Sequence, residues 1–536
     1  MLSRTCPPVA HQQVRLQAFS QLTISSQARP VELRGGGHHA RIAAHVKRFF
    51  FQCGRKDANS QWLARALVFL RIWLSTPGAI LQPQLPPCES DVRRGARGAQ
   101  EVPRRWWLEK MWTWLNNTYM PSVTPSVTPA SIDSPGMRHA GPELLSLALM
   151  DARNHTLHLL AAYEEALAGG KFSITPSAEV EPPLWLAGHV GWFAEYWTGR
   201  NTQRALGTGC PGLPTRLASI EPRADGWWNP DLVAPAARWA PAMPDAATTR
   251  AWLLETLEST LELLEKTRLA DDPLYFYRLA LFHEDQRGEQ LVVMAQTLGL
   301  PLKLEAPASM QAREPLLVPA GRWTLGSPRG GFVFDNEQLA HAVDVPEFEI
   351  DAHPVSWSQY VEFVEDGGYD HEALWSPQGW DWLQDKAAGE GRRGPRYVEQ
   401  IGGAGGAVLQ TRFGKDTRMA GGQPAMHMSW WEADAWCRWA GRRLPTEVEW
   451  EMAVHTAGRR GLRWGDVHEW TATTFRPWPG FAAGPWAAYS QPWFGLAKVT
   501  RGASFATRAR MKNPKQRGFA LPWRDDLFVG FRSCAG

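Results

Sequence analysis

Between residues 142 and 299 apolar side chains recur every three or four positions in four long stretches, and beyond residue 315 that rhythm is gone. Such spacing gathers the apolar residues on one face of a helix. PELLSLALMDARNHTLHLLAAYEEAL, WLAGHVGWFAEYW, TTRAWLLETLESTLELLEKTRL and PLYFYRLALFHEDQRGEQLVVMAQTLG each read as one helix. The last carries Pro273 near its start and Gly299 near its end, where a helix accommodates them best. With a loop over residues 200–245 rich in Pro, Gly and Ala, the four predict an antiparallel bundle. After the linker APASMQAREP, the segments LLVPAGRWTLGS, HAVDVPEFEIDAHPVSW and KVTRGASF read as short strands between turns. SWSQYVEFVED and SWWEADAWCRWAG read as two short helices among them. The expected fold class is multidomain, α and α+β: a helical bundle over residues 137–305, then an irregular α+β domain over residues 306–536.

The first 136 of the 536 residues look different, with 17 Lys and Arg against 7 Asp and Glu, and with GGGHHAR, RRGAR and PSVTPSVTP in place of periodicity. We expect this segment to be disordered or an over-extended start; a basic tail that contacts a partner is the competing reading. The whole chain carries a net charge of +3, which gives no reason to expect nucleic acid as a partner. It lacks an uncharged apolar run of about 18 residues, so no membrane span is expected. Six scattered cysteines without a CxxC pair fit a reducing compartment, and a cytoplasmic location is expected.

Two histidines stand out, His189 in WLAGHVGWF and His283 in LALFHEDQRGE, each on a helix among apolar and aromatic neighbours. One histidine in such a place is usually a hydrogen-bonded core residue. Two on separate bundle helices, with Glu284, Asp285 and Glu289 nearby, raise the case for a metal site. A second ligand on the His283 helix belongs four residues on, where the side chain shares its face. That place holds Arg287. A guanidinium has no lone pair to give and its charge opposes a cation, so the segment is at best a three-ligand site with one ligand lost.

QPAMHMSWWEADAWCRWAGRRLPTEVEWEMA, GDVHEWT, VTRGASF and LFVGFRSCA, in this order, resemble the formylglycine-generating (sulfatase-modifying-factor) fold, a C-type-lectin-like domain. PPLWLAGHVGWFAEYW, LFHEDQRGEQL and the junction FVFDNEQLAHAVDVPEFEIDAHPVSWSQYVEFV resemble the DinB-like bundle that precedes this fold in ergothioneine-type sulfoxide synthases. Within that family RPWPGF, YSQPWFG and WRDDLFVGFRSCA are most similar to the selenoneine synthase branch.

The resemblance implies an oxygen-dependent enzyme that holds non-haem Fe(II) with three histidines and joins sulfur or selenium to the imidazole C2 of hercynine, the trimethylammonium betaine of histidine. His189 and His283 match two ligands, Arg287 stands at the third, and Glu289 matches a trailing glutamate. Gln286 matches a substrate-contacting glutamine, and Arg524 an arginine that binds carboxylates of the thiol donor. Ala520 stands where some relatives have aspartate, which leaves room for a selenosugar donor. Tyr489 is the candidate for a tyrosine that protonates intermediates. Only Cys534 lies near the C-terminus, so the cysteine-pair chemistry of formylglycine formation is not expected. Three outcomes follow: iron held by His189, His283 and a carboxylate such as Glu289 or Glu284; a catalytically impaired protein that only binds a betaine; or a chance change at position 287 in an enzyme lineage. The abundant tryptophans suit a quaternary ammonium, though most are expected to be structural.

Overall fold

The computed structural model describes residues 131–536 except 169–173, 178, 241 and 403–406. Most of the segment expected to be disordered therefore lies outside the described residues. Residues 131–136 are inside them and join the fold: Ser134 caps a 3-10 turn over Pro135–His139, and the Ile132 carbonyl accepts from Arg510 at 3.4 Å.

Five helices open the structure: α1 (Pro142–Leu167), α2 (Pro183–Trp197), the short α3 (Ala224–Trp228), α4 (Ala246–Glu265) and α5 (Asp271–Thr297). The four long ones form the expected bundle, with α1 and α2 each packed against both α4 and α5. Asp245 starts α4 by accepting from the Thr248 N–H at 2.8 Å. α5 ends in a left-handed Gly299, with the Leu300 N–H turned back to the Ala295 carbonyl at 2.9 Å.

The second half is a mixed domain of 13 short strands and four helices among the described residues. In chain order they are β1 (Leu316–Val318), β2 (Gly321–Leu325), β3 (His341–Val345), β4 (Phe348–Ile350), α6 (Trp357–Glu365), α7 (Pro377–Glu390), β5 (Val398–Ile401), β6 (Val408–Arg412) and β7 (Lys415–Met419). Then come α8 (Trp430–Trp439), β8 (Arg442–Arg443), α9 (Glu447–Ala457), β9 (His468–Thr474), β10 (Lys498–Gly502), β11 (Gly518–Ala520), β12 (Val529–Phe531) and β13 (Cys534–Ala535). Two four-stranded sheets, β1-β4-β13-β8 and β11-β10-β9-β12, are joined by the ribbon β2-β3 and the meander β5-β6-β7. α6, α8 and α9 start with capping boxes written in the sequence, Ser356/Gln359, Ser429/Glu432 and Thr446/Glu449.

The recurrent strings of this half meet at one buried acid. Glu469 of GDVHEWT accepts from Arg532 of VGFR at 2.5 and 2.8 Å, and from the Trp450 indole of RLPTEVEWE at 2.8 Å. These strings hold the sheet β9–β12 to α9, so they are structural. The bundle core runs on into this domain through Phe332, Phe334 and Met511.

Candidate functional site

His189 sits on α2 between two glycines, and both are needed for close approach. A Cβ on Gly188 would lie 2.0 Å from the Trp228 indole, and one on Gly191 would lie 2.6 Å from that of Trp252. Trp228, brought that close, receives the His189 Nδ1–H on its backbone carbonyl at 3.0 Å. This fixes the tautomer and leaves Nε2 with a free lone pair, the arrangement that orients metal-binding histidines. Trp185 and Trp192 stack on the ring at 5.1 and 5.4 Å.

His283 comes from α5 and meets His189 edge to face, with ring centroids 5.2 Å apart. Phe193 stacks on it at 3.7 Å and Trp486 stands across it at 5.4 Å. Burial pushes the His189 imidazole down to about 3, aided by the positive charge of Arg287. His283 is driven well below its ordinary value by the same two causes. Both rings are neutral at physiological pH.

One turn along α5 from His283, where the resemblance implies a third ligand, stands a cation. Arg287 Nε donates to His283 Nε2 at 3.2 Å, and Nη1 donates to Gln290 Oε1 at 2.6 Å. The guanidinium thus covers the lone pair that a metal would need. With Nε2 accepting, His283 Nδ1 carries the proton, and it is buried without a hydrogen-bond partner among the described residues. An unsatisfied buried donor costs about 1–3 kcal/mol.

Glu289 and Glu284, the carboxylates expected as third ligands, are each engaged by other side chains. At 100° per residue, positions 284 and 289 of α5 lie about 100° and 120° around the helix from His283. Glu284 is bound by Arg153 at 2.8 Å and Thr156 at 2.9 Å. Glu289 accepts from His468 at 2.9 Å, Ser504 at 2.5 Å and Thr507 at 2.8 Å. Burial alone would raise its carboxyl; the His468 charge and these donors hold it below the usual range. Among the described residues no three His, Cys, Asp or Glu side chains are placed to hold a metal ion. The residues present do not fit a three-ligand iron centre.

Two further candidates join the histidines. Gln286 Nε2 donates to the Tyr489 hydroxyl at 3.2 Å, and Tyr489 stacks on Phe334 at 4.6 Å and stands 5.0 Å from Trp486. Burial raises the Tyr489 phenol well above its ordinary value, helped by the charge of Glu337, so it stays protonated. Arg524 lies in a different cluster. It is tied to Asp526 at 2.5 and 2.7 Å, beside Asp525, which is held by Arg392 at 2.6 Å and Arg396 at 3.0 Å.

Several residues at the site gave no sequence signal. Trp228 comes from the Pro-, Gly- and Ala-rich stretch over residues 200–245, and Trp486 from the loop before Tyr489. Glu181 and Arg238, paired at 2.6 Å, flank Trp185, with the guanidinium 3.9 Å over its ring. The flanking glycines of LAGHVGW were the one available hint of the tryptophans.

Comparison with known proteins agrees with this architecture. The DinB superfamily profile matches residues 148–295, and that of the sulfatase-modifying factor enzyme 1-like domain matches residues 303–465. The hercynine oxygenase of Mycolicibacterium smegmatis is 30% identical over 458 residues, covering 73% of this chain and 98% of that protein. The hercynine oxygenase of Mycobacterium tuberculosis is 30% identical over 445 residues, again 73% and 98%. The formylglycine-generating enzyme of the same organism matches only 28% of this chain, at 28% identity, and 54% of its own length. The chain, a DinB-like bundle followed by a sulfatase-modifying-factor domain, belongs to the hercynine oxygenase family.

Proposed function

We propose that this chain recognises hercynine where the bundle meets the lectin-like domain, and that Arg287 withholds the oxygen-dependent step from the chain as written. The observation that carries this reading is the Arg287 guanidinium on His283 Nε2. Family membership supports hercynine as the ligand. So does the chemistry of the surroundings: the half-buried Trp486 and Tyr489 offer aromatic rings to a quaternary ammonium, and Gln286 offers an amide to an imidazole. The Tyr489 hydroxyl is a proton donor within reach of the same amide.

Formation of a C–S or C–Se bond at imidazole C2 with Fe(II) and O2 is the second reading. The paired imidazoles and the free lone pair on His189 favour it. On that reading Arg524 receives a carboxylate of a thiol donor after parting from Asp526. The two readings separate at position 287.

Calorimetric titration of hercynine into metal-free protein tests recognition. One site per chain is expected, with free histidine, which lacks the quaternary ammonium, at least about tenfold weaker. Equal affinity for histidine, or no binding of hercynine with or without added Fe(II), overturns the proposal.

A further inference from the structure

We infer that Arg287 has made the former metal place into a carboxylate site, so that the acid end of a betaine docks on its guanidinium; this rests on the hercynine reading. Arg287 spends two of its donors on neutral acceptors, His283 and Gln290. Its Nη2 group has no hydrogen-bond or ion-pair partner among the described residues, and the side chain is only half-buried. The acid whose charge reaches it, Glu181, is already paired with Arg238 at 2.6 Å. Fully buried arginines of this protein are neutralised directly, Arg153 by Glu284, Arg510 by Asp285, Arg517 by Glu447 and Arg532 by Glu469, while the half-buried Arg216 lies over the rings of Tyr196 and Trp197. Arg287 is therefore a partly desolvated cation with no carboxylate bound to it among the described residues, and a planar guanidinium edge suits a carboxylate best.

The neighbours select which carboxylate. The half-buried Trp486 stands edge to face on the same imidazole that Arg287 touches, so an aromatic ring for an ammonium lies one ring away from the guanidinium. In an α-betaine the quaternary nitrogen and the carboxyl carbon share one bonded carbon, so the two charges are adjacent. A ligand with its carboxylate on Nη2 and its ammonium toward Trp486 satisfies both, and its charges oppose neither group. A simple dicarboxylate or a free amine would satisfy one alone.

The test compares hercynine with its decarboxylated analogue, the trimethylammonium of histamine, on the unaltered protein and on Arg287→Gln. The unaltered protein is expected to prefer hercynine at least about tenfold, and Arg287→Gln to lose that preference. Acetate, titrated against the unaltered protein, should compete with hercynine and leave the decarboxylated analogue unaffected, which keeps the test independent of how the variant folds. Equal affinity for the two ligands on the unaltered protein, or a preference kept in folded Arg287→Gln, overturns the carboxylate site while hercynine recognition stands. Failure of both ligands to bind the unaltered protein overturns the two together.

Discussion

On the proposed reading, a single side chain sets what this site can hold. At i+4 from His283 a histidine would add a nitrogen lone pair, whereas arginine adds a fixed cation that binds the lone pair already there. This was legible in the sequence, because the i, i+4 rule needs only the helix. The fate of Glu289 was less so. The sequence places it two residues past Arg287, and only the assembled junction shows Ser504, Thr507 and His468 gathered on its carboxylate. Glu289 is thus a positioning residue between the domains. Glu289→Gln keeps its shape and removes the charge, and we expect about 1.5–3 kcal/mol lower stability in urea unfolding. Combined with Arg287→His, it should leave bound iron unchanged. Loss of iron from a folded double variant would make Glu289 a ligand and contradict this assignment.

Helix α5 shows how one element serves three neighbours. His283, Gln286, Arg287 and Gln290, spaced by three and four residues, face the site. Asp285 and Glu289, also four apart, face the lectin-like domain, with Arg510 on Asp285 at 2.6 and 2.7 Å. Glu284 and Gly288 face α1, where Arg153 and His155 stand. A helix used on every side is buried almost all round, so its period and length showed that it exists but not how it is oriented. The four bundle helices, the strand segments around β1–β4 and β10, and the short helices α6 and α8 were all readable from periodicity and turn residues. The meander β5–β7 and helix α7 were not read, although the meander pairs strands close in sequence, Ile401 with Val408 and Arg412 with Lys415. On α2, Gly188→Ala tests the close approach of Trp228. The added methyl must displace the indole, so we expect about 1–3 kcal/mol lower stability and weaker hercynine binding as the Trp228 carbonyl leaves His189. Unchanged urea midpoint and affinity would show that the glycine is not needed there.

Across the whole molecule, buried neutral histidines set the response to acid. Burial, first among the causes in each case, holds His155 at about 4 and His189 and His427 at about 3, and His283 is also depressed. Unfolded, each titrates near 6.5. As pH falls through that value the unfolded chain takes up protons that the folded chain refuses, so stability is fully present above about pH 6.5 and declines below it. Urea midpoints at pH 7.5, 6.0 and 5.0 should fall in that order; a midpoint that rises on acidification would contradict the burial of these rings. At this scale no described helix is long and apolar enough to cross a membrane. The central claim, that Arg287 keeps the metal out of an otherwise preserved pair of imidazoles, is tested most directly by iron analysis after anaerobic loading with Fe(II), on the chain as written and on Arg287→His. The account predicts far less than one iron per chain in the first and close to one in the second. Near-stoichiometric iron in both would contradict it and return the oxygen chemistry to the unaltered protein.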